Sequence, residues 1–242
     1  MWALALACSS PSARLDTVEI TGLGWDAADA RLRLIVDDPW PVDLPVTAVR
    51  WAMTVDGRPL ASGSTEEELV LAARASTPVV VPFRVRYDAL PTAVAGGVPY
   101  HADVELDLAT PLGRRTLPLA TDGVLPELTA PSASLVSWSF TRDGFAGRLA
   151  LDLAVGLPSW VAGGSLAWRV TADQQLLGSG SAALTERRLA LVVYLDAGAM
   201  ASAGWDAAWG TLERVTVDLD GALDTAWGSV PLGLHREIVL AP

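Results

Sequence analysis

Lysine and asparagine do not occur among the 242 residues, histidine occurs twice and cysteine once. Each absence removes a class of chemistry. Without lysine there is no phosphate-loop lysine and no Schiff-base catalysis. A single cysteine, Cys8, allows no disulfide within the chain and no paired-thiol redox motif. All 17 basic residues are arginine, against 28 Asp and Glu, and the net charge is −11. A chain of that sign has no electrostatic footprint for nucleic acid, so no such partner is expected. No apolar run reaches the roughly 18 residues that a membrane-spanning helix needs. The skew toward arginine reads as GC-rich codon usage, not as function.

What is present is apolar: 51% of the residues, punctuated by 21 Gly and 16 Pro. That is enough for real cores and excludes disorder. The pattern has a period of two. Leu32 and Leu34 alternate with Arg31 and Arg33; Val49, Trp51, Met53 and Val55 with Arg50, Ala52 and Thr54. Val79, Val81, Phe83, Val85 and Tyr87 form another stripe, and Tyr100, Ala102, Val104, Leu106 and Leu108 a fourth. Leu149 to Val155, Leu166 to Val170, Val215 to Leu219 and Val230 to Leu234 repeat the habit. Stripes of this kind mark antiparallel strands with one wet face. Asp56-Gly57 between two stripes reads as a hairpin turn. Short helical turns are expected only near 88–95 and 197–208, so the chain reads as all-β.

The phrase Leu60-Ala61-Ser62-Gly63-Ser64 returns 117 positions later as Leu177-Gly178-Ser179-Gly180-Ser181. A duplicated anion-cradling loop and a duplicated domain would both explain it. Residues 31–64 laid on 148–181 without a gap decide between them. Arg31, Leu32, Leu34, Pro41, Trp51, Thr54, Asp56, Leu60, Ser62, Gly63 and Ser64 all meet their own kind, eleven of thirty-four. Further on, the second copy loses about nine residues, "VRYDAL" meets "VYLDAG", and "TLPL" at 116–119 meets "SVPL" at 229–232. A whole strand set repeats, so the expected organisation is a tether over 1–14, one β-sandwich over 15–130 and a degenerate second over 131–242. Gly63 and Gly180 are expected to end a strand and allow a bulge or tight bend. An anion cradle would need them to open a helix, and the acidic "TEEEL" that follows would repel an anion.

The first residues, "MWALALACSS", are apolar up to Cys8 and resemble a bacterial lipobox, in which cysteine takes lipid after signal cleavage. The pattern departs at Ala5, where leucine is usual, and lacks a positive leader. The alternative is a frayed apolar terminus with a chance cysteine.

The stretches "LRLIVDDPWPVDLPVTAVRWAMTVDGRPLASGS", "VVVPFRVRYDAL" and "YHADVELDLATPLGRRTLPLATDGVLP" resemble the WHy (water stress and hypersensitive response) domain of the type 2 late embryogenesis abundant family. The resemblance covers 15–130 closely and 131–242 faintly. It implies a small antiparallel β-sandwich of fibronectin type III-like shape with at most one short helix. The family's Asn-Pro-Asn loop is Asp38-Pro39-Trp40 here and Gly156-Leu157-Pro158 in the second copy. Asp can bond the local backbone as Asn does; the second copy has lost that option.

Other chemistry is thin. His101, Asp103, Glu105 and Asp107 share one strand face, but side chains along one strand diverge too far to close a cation cage, and a solvated acidic face is expected. Asp218 and Asp220 before Gly221 are a fragment of a calcium loop without its remaining ligands. His235 has no nucleophile elbow to serve. The repeated "GWDAA" at 24–28 and 204–208 falls at non-equivalent points. No catalytic, cofactor-binding or metal-binding residue, and no cofactor or small-molecule substrate, is therefore expected. Trp51 and Trp168 lie on core stripes. Trp40 and Trp160 lie in corresponding loops, where each either contacts a membrane or partner surface or folds back to plug the sandwich.

Two functional readings follow. The resemblance implies a non-enzymatic, stress-protective lipoprotein, active in desiccation or freezing, that shields client proteins or envelope components. Its place would be the bacterial envelope, lipid-anchored at the periplasmic face of the outer membrane. The alternative is a structural or assembly lipoprotein binding one specific envelope partner. Fold alone does not choose between them.

Overall fold

A computed structural model describes residues 11–66, 69–91, 97–110, 113–143, 146–172, 174–184, 186–195 and 214–240. Cys8 and the segment 197–208 lie outside the described residues. Regular structure among those described is strand, apart from one 3₁₀ turn at Tyr87–Ala89. That turn stops early because Leu90 precedes Pro91, and proline forces the residue before it out of helical geometry. Leu90 sits accordingly at φ −80°, ψ 141°.

The chain divides into two compact units: Asp29–Leu128 with the chain up to Ile20, and Thr129 onward with Thr21–Ala28. The first is a sandwich of antiparallel sheets. One sheet holds β1 (Ser12–Leu23, up to Ile20), β2 (Ala27–Asp37, from Asp29) and β6 (Ser76–Arg86), in the order β1-β2-β6. The other holds β3 (Leu44–Val55), β4 (Arg58–Thr65), β7 (Val98–Thr110) and β8 (Gly113–Leu125), in the order β4-β3-β7-β8, with the short β5 (Leu69–Leu71) beside β3. The stripes face inward. Leu32, Leu34, Val79, Val81, Val104 and Leu106 are each 1% exposed or less. Trp51 of β3 meets Phe83 of β6 across the sandwich, edge to face at 6.1 Å. The outward arginines pair across strands, Arg31 with Glu19 and Arg33 with Asp16.

The second unit has the same strand order. β9 (Ser132–Asp143), β10 (Ala146–Gly156) and β13 (Arg188–Leu195) form one sheet, β13-β10-β9. β11 (Gly163–Ala172), β12 (Gln175–Leu184), β14 (Arg214–Thr225) and β15 (Gly228–Val239) form the other, β12-β11-β14-β15. The end of β1 lies beside β15, parallel to it, with Leu23 opposite Leu232. Both Leu23 and Leu232 are buried.

Beside the hairpin turn of the first unit, two details recur at matching places in both. The Asp56-Gly57 turn carries φ of 49° and 72°, as a two-residue hairpin of the primed type requires. Each β3-type strand slips register in the same step, between Met53 and Thr54 and between Val170 and Thr171. In each ladder a glycine stands opposite a tryptophan, Gly63 to Trp51 and Gly180 to Trp168. This corrects the expectation for those glycines. They sit inside β4 and β12, away from the bulge, and a Cβ there would lie 2.6 Å from Cζ2 of Trp51 and 2.7 Å from Cζ2 of Trp168. Their task is to leave room for an indole laid over the neighbouring strand. The last strand also aligns two residues away from the sequence match. Leu119 pairs with Val104 and Leu234 with Leu219, so Leu119 corresponds to Leu234 rather than Leu232.

Candidate functional site

The outer face of β3, β7 and β8 carries the acidic stripe. Arg50 forks onto Asp107, Nη1 to Oδ2 at 2.7 Å and Nη2 to Oδ1 at 3.0 Å, and its Nε donates to Glu105 at 3.1 Å. Thr116 donates to Asp107 at 2.7 Å. The Thr116 hydroxyl first, then Arg50, hold the Asp107 carboxyl below its usual range, and Asp107 in turn raises Arg50. His101 Nδ1 lies 2.7 Å from Asp122, and its Nε2 lies 3.4 Å from Asp103. The bond to Asp122 raises the imidazole above its ordinary value of 6.5. On the inner side, burial and then Asp122 push the Tyr100 phenol up to about 12. In the second unit His235 closes on Asp218, which takes that residue out of any cation loop. Among the described residues no group of three or more His, Cys, Asp or Glu could hold a metal ion. The face is a web of cross-strand pairs, and each exposed pair is worth little alone.

The loop after β2 is more closely built. Among the described residues Asp38 is the buried charged one, 3% exposed. Its Oδ1 accepts the Trp40 amide at 2.9 Å, the local backbone bond foreseen for this loop. Its Oδ2 is buried without a hydrogen-bond partner. The strand is tied down by Asp38 N donating to Ala75 O at 3.0 Å and Arg74 N donating to Trp40 O at 2.9 Å. Arg74 reaches this bond from a left-handed backbone, φ 54°. Between these segments lies an open cleft of about 380 Å³, lined by Ser12, Asp37, Asp38, Pro39, Arg74, Ala75 and Ser76. Asp37 is engaged there, accepting from the Ser76 hydroxyl and standing 4.0 Å from Arg14 Nε.

Trp40, in this loop, is half-buried. Trp160 holds the corresponding loop of the second unit and is also half-buried. It stacks edge to face on Trp227 of the β14–β15 turn, centroids 5.0 Å apart at 70°. The sequence pattern gave no sign of Trp227, since nothing in spacing ties position 160 to position 227. Beside them Arg187 reaches the loop backbone, Nη1 to Leu157 O at 2.6 Å and Nη2 to Pro158 O at 3.2 Å. The cleft left at this end is about 160 Å³.

Comparison with known proteins bears on the first unit. Residues 36–123 match the family model described as late embryogenesis abundant protein. A desiccation-related protein of Arabidopsis thaliana is 25% identical over 129 residues, which cover 51% of this chain and 76% of that one. The solution structure of that late embryogenesis abundant protein aligns over 50% of this chain and 74% of its own, at 24% identity and a TM-score of 0.42. A second Arabidopsis thaliana solution structure aligns over 48% of this chain and 83% of its own, at 19% identity and a TM-score of 0.42. The span matching the family model lies inside the first unit and contains the Asp38-Pro39-Trp40 loop, the Trp51–Gly63 pair and the Arg50–Asp107 web.

Proposed function

We propose that this chain is a non-enzymatic, stress-protective protein of the type 2 late embryogenesis abundant kind, built from two tandem WHy domains. In this reading it is held at a bacterial envelope by lipid on Cys8. The observation that carries the reading is the family match over 36–123, a span that lies inside the first sandwich. The desiccation-related relative points to the same role. Tandem descent is supported by the gapless repeat and by one strand order in both units, with bulge and Trp–Gly pair at matching positions. The absence of catalysis is supported by the acidic face, where Asp107, Glu105 and His101 are committed to neighbours along the sheet.

Protection would come from charge and bulk. A net charge of −11 keeps the chain soluble and separates partly unfolded clients by repulsion. Such protection is stoichiometric, indifferent to client identity, and weakened by salt, because exposed charges are screened beyond about 8 Å at physiological ionic strength. The test is freeze–thaw of an aggregation-prone enzyme with this protein or with serum albumin at equal mass. Recovery above albumin that falls with added salt supports the reading. Recovery equal to albumin rejects it and favours an assembly lipoprotein with one saturable partner. Mass spectrometry of protein from its native host tests the anchor, which an unmodified Cys8 thiol would refute.

A further inference from the structure

The loop ends of the two units solve one backbone problem in different ways. In the second unit the carbonyls of Leu157 and Pro158 are both capped by the guanidinium of Arg187. The gapless alignment places Trp40 and Pro41 at those two positions and Asp38 at Val155, one residue before the Gly156-Leu157-Pro158 matched to its loop by the family pattern. A shared bond fixes the other side of the comparison. Asp38 N donates to Ala75 O at 3.0 Å, and Val155 N donates to Arg187 O at 2.8 Å. Ala75 therefore stands where the second unit has Arg187, with a methyl group in place of a guanidinium, a register that corrects the match of "VRYDAL" with "VYLDAG" by four residues. Beside Ala75 lies the open cleft of about 380 Å³.

The exchange is reciprocal in charge. Where the second unit buries the isopropyl group of Val155, the first buries the carboxyl of Asp38, 3% exposed and with Oδ2 unpartnered. A buried carboxylate oxygen without a donor is costly, and a planar fork of N–H groups is the donor set that fits carboxylate and carbonyl oxygens together. We infer that the cleft between Asp37–Pro39 and Arg74–Ser76 binds a guanidinium group supplied from outside the chain, with Asp38 as its anchoring acceptor. The inference does not depend on the protective role proposed above. The other charges at the cleft are Asp37, already shared with Ser76 and Arg14, and Arg74, whose exposed cation competes with the ligand. The source of the group is either a free arginine-like molecule or an arginine side chain on a partner polypeptide.

The experiment titrates the full-length, isotopically labelled protein with N-acetyl-arginine amide, N-acetyl-lysine amide and a neutral hexapeptide containing one arginine, following amide resonances. Saturable shifts confined to residues 38–41 and 74–76 are expected with the arginine compounds, at least several-fold weaker with lysine. Equal affinity for amide and hexapeptide identifies a small-molecule site; tighter binding of the hexapeptide identifies a partner's side chain. Asp38→Asn keeps an oxygen for the Trp40 amide but removes the charge, and binding should weaken about tenfold or more, the loss of one charged hydrogen bond. Arg74→Met removes the competing cation and should tighten binding, which keeps a test available should D38N not fold. No saturable shift, shifts spread over the acidic faces, equal binding by D38N, or weaker binding by R74M would each overturn the inference.

Discussion

Gly63 and Gly180 show how a single side chain, or its absence, is dictated by a residue on another strand. Each faces an indole at van der Waals range, so a methyl group must displace ring or backbone. Gly63→Ala and Gly180→Ala should each cost about 1–3 kcal/mol, the usual penalty for overpacking a filled site. Ser62→Ala, at an exposed neighbour, should be near neutral. Urea midpoints with unchanged slope would check both. His101 gives a second prediction. Its folded value is raised, so the protonated ring is favoured in the folded chain. The stability it adds is complete below the ordinary value of 6.5 and is lost as pH rises through the higher folded midpoint. Imidazole titration by NMR should give a midpoint above 6.5, and Asp122→Asn should bring it down, because that carboxylate is the largest cause. Residue identity was legible from sequence where it served a stripe. It was illegible where the partner was backbone: Arg187 caps two carbonyls, and a carbonyl leaves no mark in a sequence.

At the scale of the element, the strands read correctly are those with one wet and one dry face, such as β7 and β11. Those missed have a reason each. In β13, Leu189, Leu191 and Val193 are buried on one side, but Ala190, Val192 and Tyr194 on the other are apolar too, so no alternation shows. In β1 six of the twelve positions are half-covered, so no clean alternation shows. In β9 the period breaks. Opposite Asp152 and Leu153 the register slips at Val136, so Ala133 and Leu135 share a stripe with Trp138 and Phe140 only after one residue is skipped. Deleting Val136 should therefore straighten the strand and leave a cooperative melt. Deleting Ser134 should reverse the faces beyond it and cost about 2 kcal/mol or more, or prevent folding. Thermal unfolding followed by circular dichroism distinguishes the two. The end loops were only partly legible: Trp40 and Trp160 stand out as loop tryptophans, whereas the burial of Asp38 depends on Ala75, which no spacing brings near.

For the whole molecule, the boundary that the repeat suggests is not the one the contacts draw, because Thr21–Ala28 packs with the unit that begins at Thr129. Leu23, 2% exposed, is sealed against Leu232, and Trp25 lies under the Arg236 guanidinium at 5.3 Å. Leu23→Ala should cost about 2–4 kcal/mol, as core truncations do. The loss should appear in the unfolding step that Leu232→Ala also lowers, not in the one that Leu34→Ala lowers. Urea unfolding of the three variants, read by tryptophan fluorescence and by resolved amide signals of each unit, checks the assignment. The same parallel contact sets an order of events at the ribosome. Leu23 is translated before Leu232 with strands β2 to β14 made in between, so an apolar leucine must wait, uncovered, while they emerge. During that interval the nascent chain carries a short sticky segment, and only the arrival of β15 closes it.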